Sequence, residues 1–350
     1  MLFRSWSFCE DFTMARAVII NKLDRERSSF ERALESVQSV FGRTAIPVHL
    51  PIGAEKDFTG VVDLVRMKAY TYAADGDGKG KEGDIPAALA DAARAAHEAL
   101  VEMVAEGNDQ LLEEFFEKGT LPIEHIVDGL RDAVQQRRMF PVLCASGLHN
   151  VSADLVLNFA VDYFPNPSER GPWKGTLNGA EVTRAVKDSE PGSAFVFKTI
   201  ADPFAGRVSY FKVVSGVVKN DMHLIDVRTG ADERLAHIGT LAGKTINAVP
   251  ELHAGDIGGV AKLKDALTGD TLAEKGSQIA YPHVQLPEPS IAYAISAKTR
   301  NDEDRMGNAV HKILEEDASL RFYRDPQTKE FLLAGCGQQD RKSTRLNSSH

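Results

Sequence analysis

One short segment constrains the fold of this chain more than any other. A continuous apolar run from Ala17 to Ile20 breaks off into a polar loop, residues 21–27, and then into an amphipathic helix. An unbroken run rich in β-branched residues is typical of a parallel strand buried on both faces. The helix is predicted to begin at Ser28 or Ser29, where the spacing from Ser28 to Glu31 matches a capping box, and to end at Gly42. Strand, loop and helix in this order indicate a parallel α/β sheet.

The first domain is predicted to cover residues 6–165. Within it, residues 45–138 read as an insertion between two strands of one sheet, with short strands followed by helices over 85–116 and 122–138. A strand at 142–144 and a helix over 152–164 then return to the main sheet. The insertion is itself of the α/β type.

Three further segments follow the first domain. The Pro- and Gly-rich stretch 166–190 is predicted as a linker. Residues 191–280 alternate polar and apolar positions between Gly, Asp and Asn turns, which favours a small closed antiparallel β-barrel. Residues 285–337 give a strand, a helix and a strand, about half of a small α/β domain. The fold class is therefore a multidomain α/β plus β-barrel protein.

Composition excludes several other classes. Lys and Arg number 41 against 50 Asp and Glu, and the resulting net charge of -9 argues against broad coating of nucleic acid. Cys9, Cys144 and Cys336 form no C-x-x-C pair, and no histidine stands in a metal-binding motif, so neither a disulfide framework nor a metal site is predicted. No stretch reaches the roughly 18 apolar residues that cross a membrane. We expect a cytoplasmic protein.

The polar loop after the first strand carries the pattern N-K-x-D, with Asn21, Lys22 and Asp24. Ligands of open α/β sheets bind at the carboxyl ends of the strands, where this loop lies. The carboxylate of Asp24 can accept the two adjacent donors of guanine, a pair that adenine lacks. Asn21 can tie the loop to its neighbours, and the Lys22 stem can lie along the base or ribose.

A second loop supports the same site. Ser146 and Gly147 follow the strand predicted at 142–144, where a tight turn could direct backbone N–H groups at the guanine carbonyl oxygen. Ser-Gly after a strand is by itself an ordinary turn signal. Its weight comes from its place relative to Asn21 and Asp24.

These residues resemble the guanine-specificity segment of elongation factor G, a translational GTPase. Similar stretches of that family occur in the same order along the chain. They are residues 51–64 in the insertion, 202–207, 215–218, 255–257 and 268–272 in the barrel, and Pro287 to Pro289, Lys298-Thr299, 315–317 and 334–337 in a third, ferredoxin-like domain. The resemblance covers residues 6–337.

The resemblance implies GTP and GDP as ligands, Mg²⁺ as their companion ion, and a ribosome as partner through its rRNA and proteins. In the family, GTP hydrolysis on the ribosome drives translocation of tRNA and mRNA. The protein is expected to act as a monomer without membrane contact. A ribosomal-protection or release-factor type GTPase shares the guanine segment and barrel, but the insertion favours elongation factor G. A non-enzymatic ribosome-binding fragment is the remaining alternative.

Several of the family's motifs do not occur in this sequence. No G-x-x-x-x-G-K-[ST] loop, switch threonine or water-orienting Asp-x-x-Gly segment precedes Asn21. Gly243-Lys244-Thr245 and Asp256 to Gly259 imitate such motifs by letter only, because both fall within the predicted barrel. No catalytic residue and no metal ligand is assigned, and we expect the chain alone to be inactive. Residues 1–5 and 338–350 match nothing in the family and are expected to be disordered.

Overall fold

The computed structural model describes residues 2–337 apart from 75, 203–205, 244, 287, 298, 300 and 301. It divides the chain into two compact units, Met1–Pro165 and Asn166–His350. The predicted tail, 338–350, lies outside the described residues, as do Lys244, Pro287, Lys298 and residues 203–205 of the segments named above.

A three-stranded parallel sheet forms the centre of the first unit. Its strands are β1 (Val18–Ile20), β2 (Ala45–Pro47) and, in the middle, β7 (Phe140–Cys144). The predicted parallel α/β sheet is thus confirmed. The expectation that its first strand is buried on both faces is wrong, because Ile19 is 48% exposed while Ile20 is buried.

Among the described residues, six α-helices belong to the first unit: α1 (Leu2–Asp11), α2 (Phe30–Phe41), α3 (Ala90–Ala105), α4 (Asp109–Lys118), α5 (Ile123–Gln135) and α6 (Ala153–Tyr163). Disorder was expected for residues 1–5, but α1 begins at Leu2. The helix is anchored by Trp6, whose ring stacks on that of Phe41 with 3.8 Å between centroids. The Arg16 guanidinium lies over the Trp6 ring, 4.2 Å from its centroid. An aromatic anchor just past residue 5 therefore orders the start of the chain.

The insertion adds an antiparallel sheet of β3 (His49–Ile52), β4 (Gly60–Asp63), β5 (Lys68–Thr71) and β6 (Lys81–Gly83) in sequential order. The single helix predicted over 85–116 is two helices. The Asn108 side chain accepts from the amides of Gln110 and Leu111 and so caps α4 where α3 has ended. Apolar side chains of α3, α5 and α6 pack on one face of the parallel sheet, and those of α2 pack on the other.

The second unit begins with a hairpin of β8 (Trp173–Leu177) and β9 (Ala180–Arg184). The linker predicted for 166–190 is therefore wrong. The hairpin is held because the Trp173 ring contacts Tyr281 at 5.3 Å and Phe195 at 6.1 Å between centroids. One aromatic side chain fixes a segment whose Pro and Gly content indicated flexibility.

The predicted antiparallel barrel is confirmed as one curled, half-barrel sheet of eight strands; its predicted closure is not, because no pairing among the described residues joins the end strands β14 and β16. The order of the eight strands is β14-β13-β19-β10-β11-β18-β15-β16, and apolar side chains fill the inner face. The strands are β10 (Ser193–Asp202), β11 (Gly206–Ser215), β13 (Met222–Asp226), β14 (Asp232–Leu235), β15 (Gly239–Ala242), β16 (Thr245–Ala248), β18 (Ile257–Ala261) and β19 (Thr271–Ala273), with a separate pair β12 (Val218–Lys219) and β17 (Glu251–Leu252). Gly243 lies in the turn between β15 and β16, and Ile257 to Gly259 lie within β18, as expected of accidental motifs.

The end of the described chain is a small α/β element. It contains β20 (Ile291–Ile295), α7 (Glu303–Glu316), β21 (Arg321–Arg324) and β22 (Phe331–Gly335), with β22 between the other two strands. β21 was not predicted. The amide of Ala201 on β10 donates to Glu316 on α7 at 2.7 Å. Within the described residues, no helix has the length and apolarity that crossing a membrane requires.

Candidate functional site

The two loops predicted to form a site lie side by side. The first follows β1, and the second follows β7, the strand parallel to it. The ladder extends one step beyond the strands, since the amide of Ala145 donates to the Ile20 carbonyl at 3.0 Å. Because parallel neighbours end at the same edge of a sheet, residues more than a hundred positions apart in sequence meet here.

Asn21 joins the two loops through one side-chain oxygen. Its Oδ1 accepts from the amide of Lys22 at 2.7 Å and from the amide of Gly147 at 3.0 Å. The predicted tying role of Asn21 therefore has a geometric basis. Lys22 has a φ of 65°, a left-handed conformation that costs a non-glycine residue roughly 1–2 kcal/mol, and its side chain is exposed.

Asp24 and Ser146 form the second connection. The Ser146 hydroxyl donates to Asp24 Oδ1 at 2.6 Å; Ser146 is fully buried and the Asp24 side chain is 8% exposed. The bond from Ser146 holds the pKa of Asp24 below its ordinary value, against the opposing effect of burial. The carboxylate is therefore charged at neutral pH and its position is fixed.

Two residues that the sequence prediction did not include stand beside this carboxylate. Arg25 Nε lies 3.6 Å and His149 Nε2 3.9 Å from Asp24 Oδ2. The electrostatic interactions of these two residues with Asp24 also lower its pKa, each by less than the Ser146 hydrogen bond does. Proximity to Asp24 and Ser146 in sequence was the available signal, but side-chain direction cannot be read from spacing within a loop.

The buried Leu23 fixes the middle of the first loop. Its carbonyl accepts from the Ser28 hydroxyl at 2.8 Å, and the amide of Arg25 turns back onto the Lys22 carbonyl at 3.1 Å. The loop is thus bonded at both ends and in its middle. Such a support holds the Asp24 carboxylate in one orientation.

The backbone of the second loop differs from expectation. A turn directing its N–H groups at a ligand carbonyl was predicted, but most of these groups already donate within the protein. Gly147 N donates to Asn21, Ser146 N to the Val151 carbonyl and His149 N to the Ser146 hydroxyl. Among the described residues, the amide of Leu148 in the same turn has no protein acceptor. A ligand carbonyl would be received there or would displace the Asn21 contact.

Comparison with known proteins bears on both units. The family model described as elongation factor G domain 2 matches residues 191–275, and the model described as elongation factor G domain III matches residues 286–341. The whole chain also resembles a crystal structure from Thermus thermophilus, with a TM-score of 0.83 and 28% sequence identity. The match covers 99% of this chain and 49% of that one, so the chain spans about half the length of the solved structure.

The two family models and the structural match agree with the order of elements along the chain. The eight-stranded sheet lies where the domain 2 model matches, and the β20 to β22 element lies where the domain III model matches. The structural match extends over the first unit as well. The chain therefore contains two domains of the elongation factor G type, domain 2 over residues 191–275 and domain III over residues 286–341.

Proposed function

We propose that this chain provides guanine recognition to a GTPase of the elongation factor G type, which hydrolyses GTP on the ribosome to drive translocation. One observation carries the proposal: the hydrogen bond from Ser146 to Asp24 joins the loops after two adjacent parallel strands and fixes a charged carboxylate at the sheet edge. That edge is the usual ligand-binding position of such sheets.

The chemistry of the carboxylate favours guanine over the other bases. Guanine presents a ring N–H and an exocyclic amino group side by side, and each oxygen of Asp24 has a lone pair left after the Ser146 bond. Adenine cannot supply this pair of donors, and an unmatched buried acceptor costs about 1–3 kcal/mol. GTP and GDP are therefore the proposed ligands, with Asn21, Lys22 and Gly147 positioning the base.

No residue of this chain is assigned to the binding of phosphate or Mg²⁺, or to the chemical step. Phosphoryl transfer depends on a loop that cradles the phosphates, a held metal ion and a placed water. Base contacts that are equal in the ground and transition states do not accelerate that reaction. Ribosome contacts are proposed to be local, because the net charge of -9 does not favour general attraction to RNA.

The test is the variant Asp24→Asn. An amide in place of the carboxylate offers a donor where guanine has its amino group, so GMP binding should weaken by about tenfold or more. XMP, which has a carbonyl there, should bind better than it does to the wild-type chain. Ligand-observed NMR with GMP, XMP and AMP detects the weak binding expected of a nucleoside monophosphate.

Asp84→Asn is the matched control, since Asp84 is an exposed carboxylate of the same unit with the same charge change. It should leave all three affinities unchanged. If Asp24→Asn prefers GMP over XMP as strongly as the wild type does, Asp24 does not contact the base.

A further inference from the structure

His149 contacts both members of the Ser146–Asp24 pair in the candidate site. Its backbone amide donates to the Ser146 hydroxyl at 3.3 Å, and that hydroxyl donates to Asp24 Oδ1 at 2.6 Å. Its ring lies near the other oxygen of the carboxylate, with Nε2 3.9 Å from Asp24 Oδ2. One residue is therefore connected to both oxygens of the carboxylate that is proposed to bind guanine.

The two oxygens of Asp24 differ in the partners they already have. Oδ1 accepts from Ser146. Arg25 Nε at 3.6 Å and His149 Nε2 at 3.9 Å are close to Oδ2, but neither is within hydrogen-bonding distance of it. Oδ2 is thus the more open acceptor, and a pair of adjacent donors that spans the carboxylate must use it.

The ionisable groups around the His149 ring come from two neighbouring loops, because the rest of its own loop has no ionisable side chain. The first loop supplies Asp24 and, beside the same oxygen, Arg25. The loop between β5 and β6 packs on the residue after His149 and adds Asp77 and Lys79, which pair with each other at 3.8 Å. Among the described residues, Asp24 is therefore the carboxylate toward which a protonated ring is drawn.

A proton on the His149 ring changes what Oδ2 offers to a base. Histidine is the side chain that ordinarily changes its charge between about pH 5 and 8. Once the ring is protonated, its Nε2–H is a charge-assisted donor, and a shift of about 1 Å brings it from 3.9 Å to hydrogen-bonding distance of Oδ2. Bonds from guanine weaken when the charge of the carboxylate is already paired, so the proton and the base compete for Asp24.

Two other groups close to the site keep their charge state over this pH range. The hydrogen bond from Ser146 holds the pKa of Asp24 below its ordinary value, so the carboxylate stays ionised. His49 lies 3.5 Å from the Ser152 hydroxyl at the end of the second loop, and burial lowers its pKa to about 4, so its ring stays neutral. Neither group makes base binding pH-dependent above about pH 5.

We propose that His149 is a positioning residue that makes guanine binding pH-dependent, because its protonated ring pairs with Asp24 Oδ2 and weakens binding of the base in acid. The inference rests on the proposed guanine site and adds a means of regulating it. Protonation and base binding oppose each other, so the affinity for guanine falls as the pH falls. By reciprocity, saturation with the base shifts the titration of the His149 ring to lower pH by the same factor.

The probe for the test is guanosine, which lacks the phosphate group of a nucleotide and so keeps its charge in this range. Its affinity for the full chain is measured by ligand-observed NMR at about pH 7.5 and about pH 5.5 in the same salt. The wild type should bind about threefold to fivefold more weakly at the lower pH, the size expected of a partly exposed ion pair. The difference should shrink at high salt.

His149→Gln keeps a neutral polar side chain that takes up no proton. It should bind guanosine equally at both pH values, and so more tightly than the wild type at the lower one, a gain that damage to the fold does not produce. His125→Gln is the matched control, because His125 is a histidine of the first unit with similar exposure whose Nδ1 lies 2.6 Å from a carboxylate oxygen of Glu114. It should keep the pH dependence of the wild type.

The possible failures separate this inference from the proposed function. If the wild type binds guanosine equally at both pH values, or more tightly in acid, the role of His149 is overturned while the guanine site stands. A loss of affinity in acid that persists in His149→Gln assigns the effect to another group and also overturns it. If neither the wild type nor His149→Gln binds guanosine at either pH, the guanine site itself is wrong, and this inference is wrong with it.

Discussion

At the scale of single residues, the contact between Ser146 and Asp24 is the most informative feature of the candidate site. It is short, at 2.6 Å, and it is the largest contribution that holds the pKa of Asp24 low. Removing it leaves burial as the dominant influence, which raises the pKa of a carboxyl group. The contact can therefore be tested without any ligand.

Ser146→Ala is expected to raise the pKa of Asp24 toward or above its ordinary value. A carboxyl whose folded-state pKa is depressed stabilises the fold above its unfolded pKa, and that contribution is lost as pH falls through the folded pKa. The variant should therefore be less stable than the wild type at neutral pH, and this part of the difference should disappear in acid.

The measurement is an NMR titration of the Asp24 carboxyl carbon, combined with denaturant unfolding at several pH values. Ser39→Ala is the control, because Ser39 is exposed on α2 and its hydroxyl donates only to the Ser36 carbonyl. An Asp24 titration curve that is the same in Ser146→Ala and wild type would show that the hydrogen bond does not set the charge of the site.

The sequence predicted which residues form this site but not the hydrogen bonds and ion pairs between them. Asn21, Lys22 and Asp24 followed from the loop pattern, and Ser146 and Gly147 from a position after the next strand. The Gly147 amide donates to Asn21, and Arg25 and His149 lie beside Asp24. These contacts depend on the directions of side chains in the loops. Those directions are set by contacts between segments distant in sequence, which no local pattern specifies. The nucleotide that the site binds stays a prediction.

At the scale of elements, helix ends show where local signals succeed and fail. The start of α2 was predicted within two residues, but the capping box from Ser28 to Glu31 was wrong. Ser29 is the cap, its hydroxyl accepting from the amide of Arg32 at 3.2 Å, while Ser28 donates to the Leu23 carbonyl in the loop. Only Ser28 has a glutamate three residues later, but its contact with the loop leaves Ser29 to cap the helix.

Ser29→Ala is expected to lower the unfolding free energy of the first unit by about 1 kcal/mol, since an N-terminal amide of α2 loses its acceptor. Ser36→Ala in the interior of the same helix should be neutral or slightly stabilising, because alanine has the higher helix propensity. Urea denaturation followed by circular dichroism measures both. A larger loss from Ser36→Ala than from Ser29→Ala would contradict the observed cap.

The remaining differences between expectation and structure have a local cause in one case and a tertiary cause in the other. The break between α3 and α4 is local, because the Asn108 side chain caps the start of α4. The hairpin of β8 and β9 is ordered by Trp173, which contacts Phe195 on β10 of the eight-stranded sheet and Tyr281 far along the chain. Propensity is a weak guide wherever one side chain or one cap outweighs it.

At the scale of the whole molecule, each unit has cores of its own. In the first unit, apolar clusters lie on both faces of the parallel sheet, yet β1 pairs only with β7 among the described strands, and Phe8, Phe12 and Ile19 are exposed. In the second unit, the curled sheet encloses its own cluster. An unpaired strand edge and exposed apolar side chains are less favourable than a filled sheet interior.

We therefore expect two unfolding transitions, the first unit melting before the second. Leu143→Ala, in the core of the first unit, should lower only the earlier transition, and Leu224→Ala, in the core of the second, only the later one. Each substitution of a fully buried leucine should cost about 2–5 kcal/mol in its own unit. Differential scanning calorimetry measures both transitions, and limited proteolysis near the first should leave a resistant fragment beginning close to residue 166. A single transition shifted equally by both variants would mean that the two units unfold as one, and a resistant fragment from the first unit would reverse the predicted order.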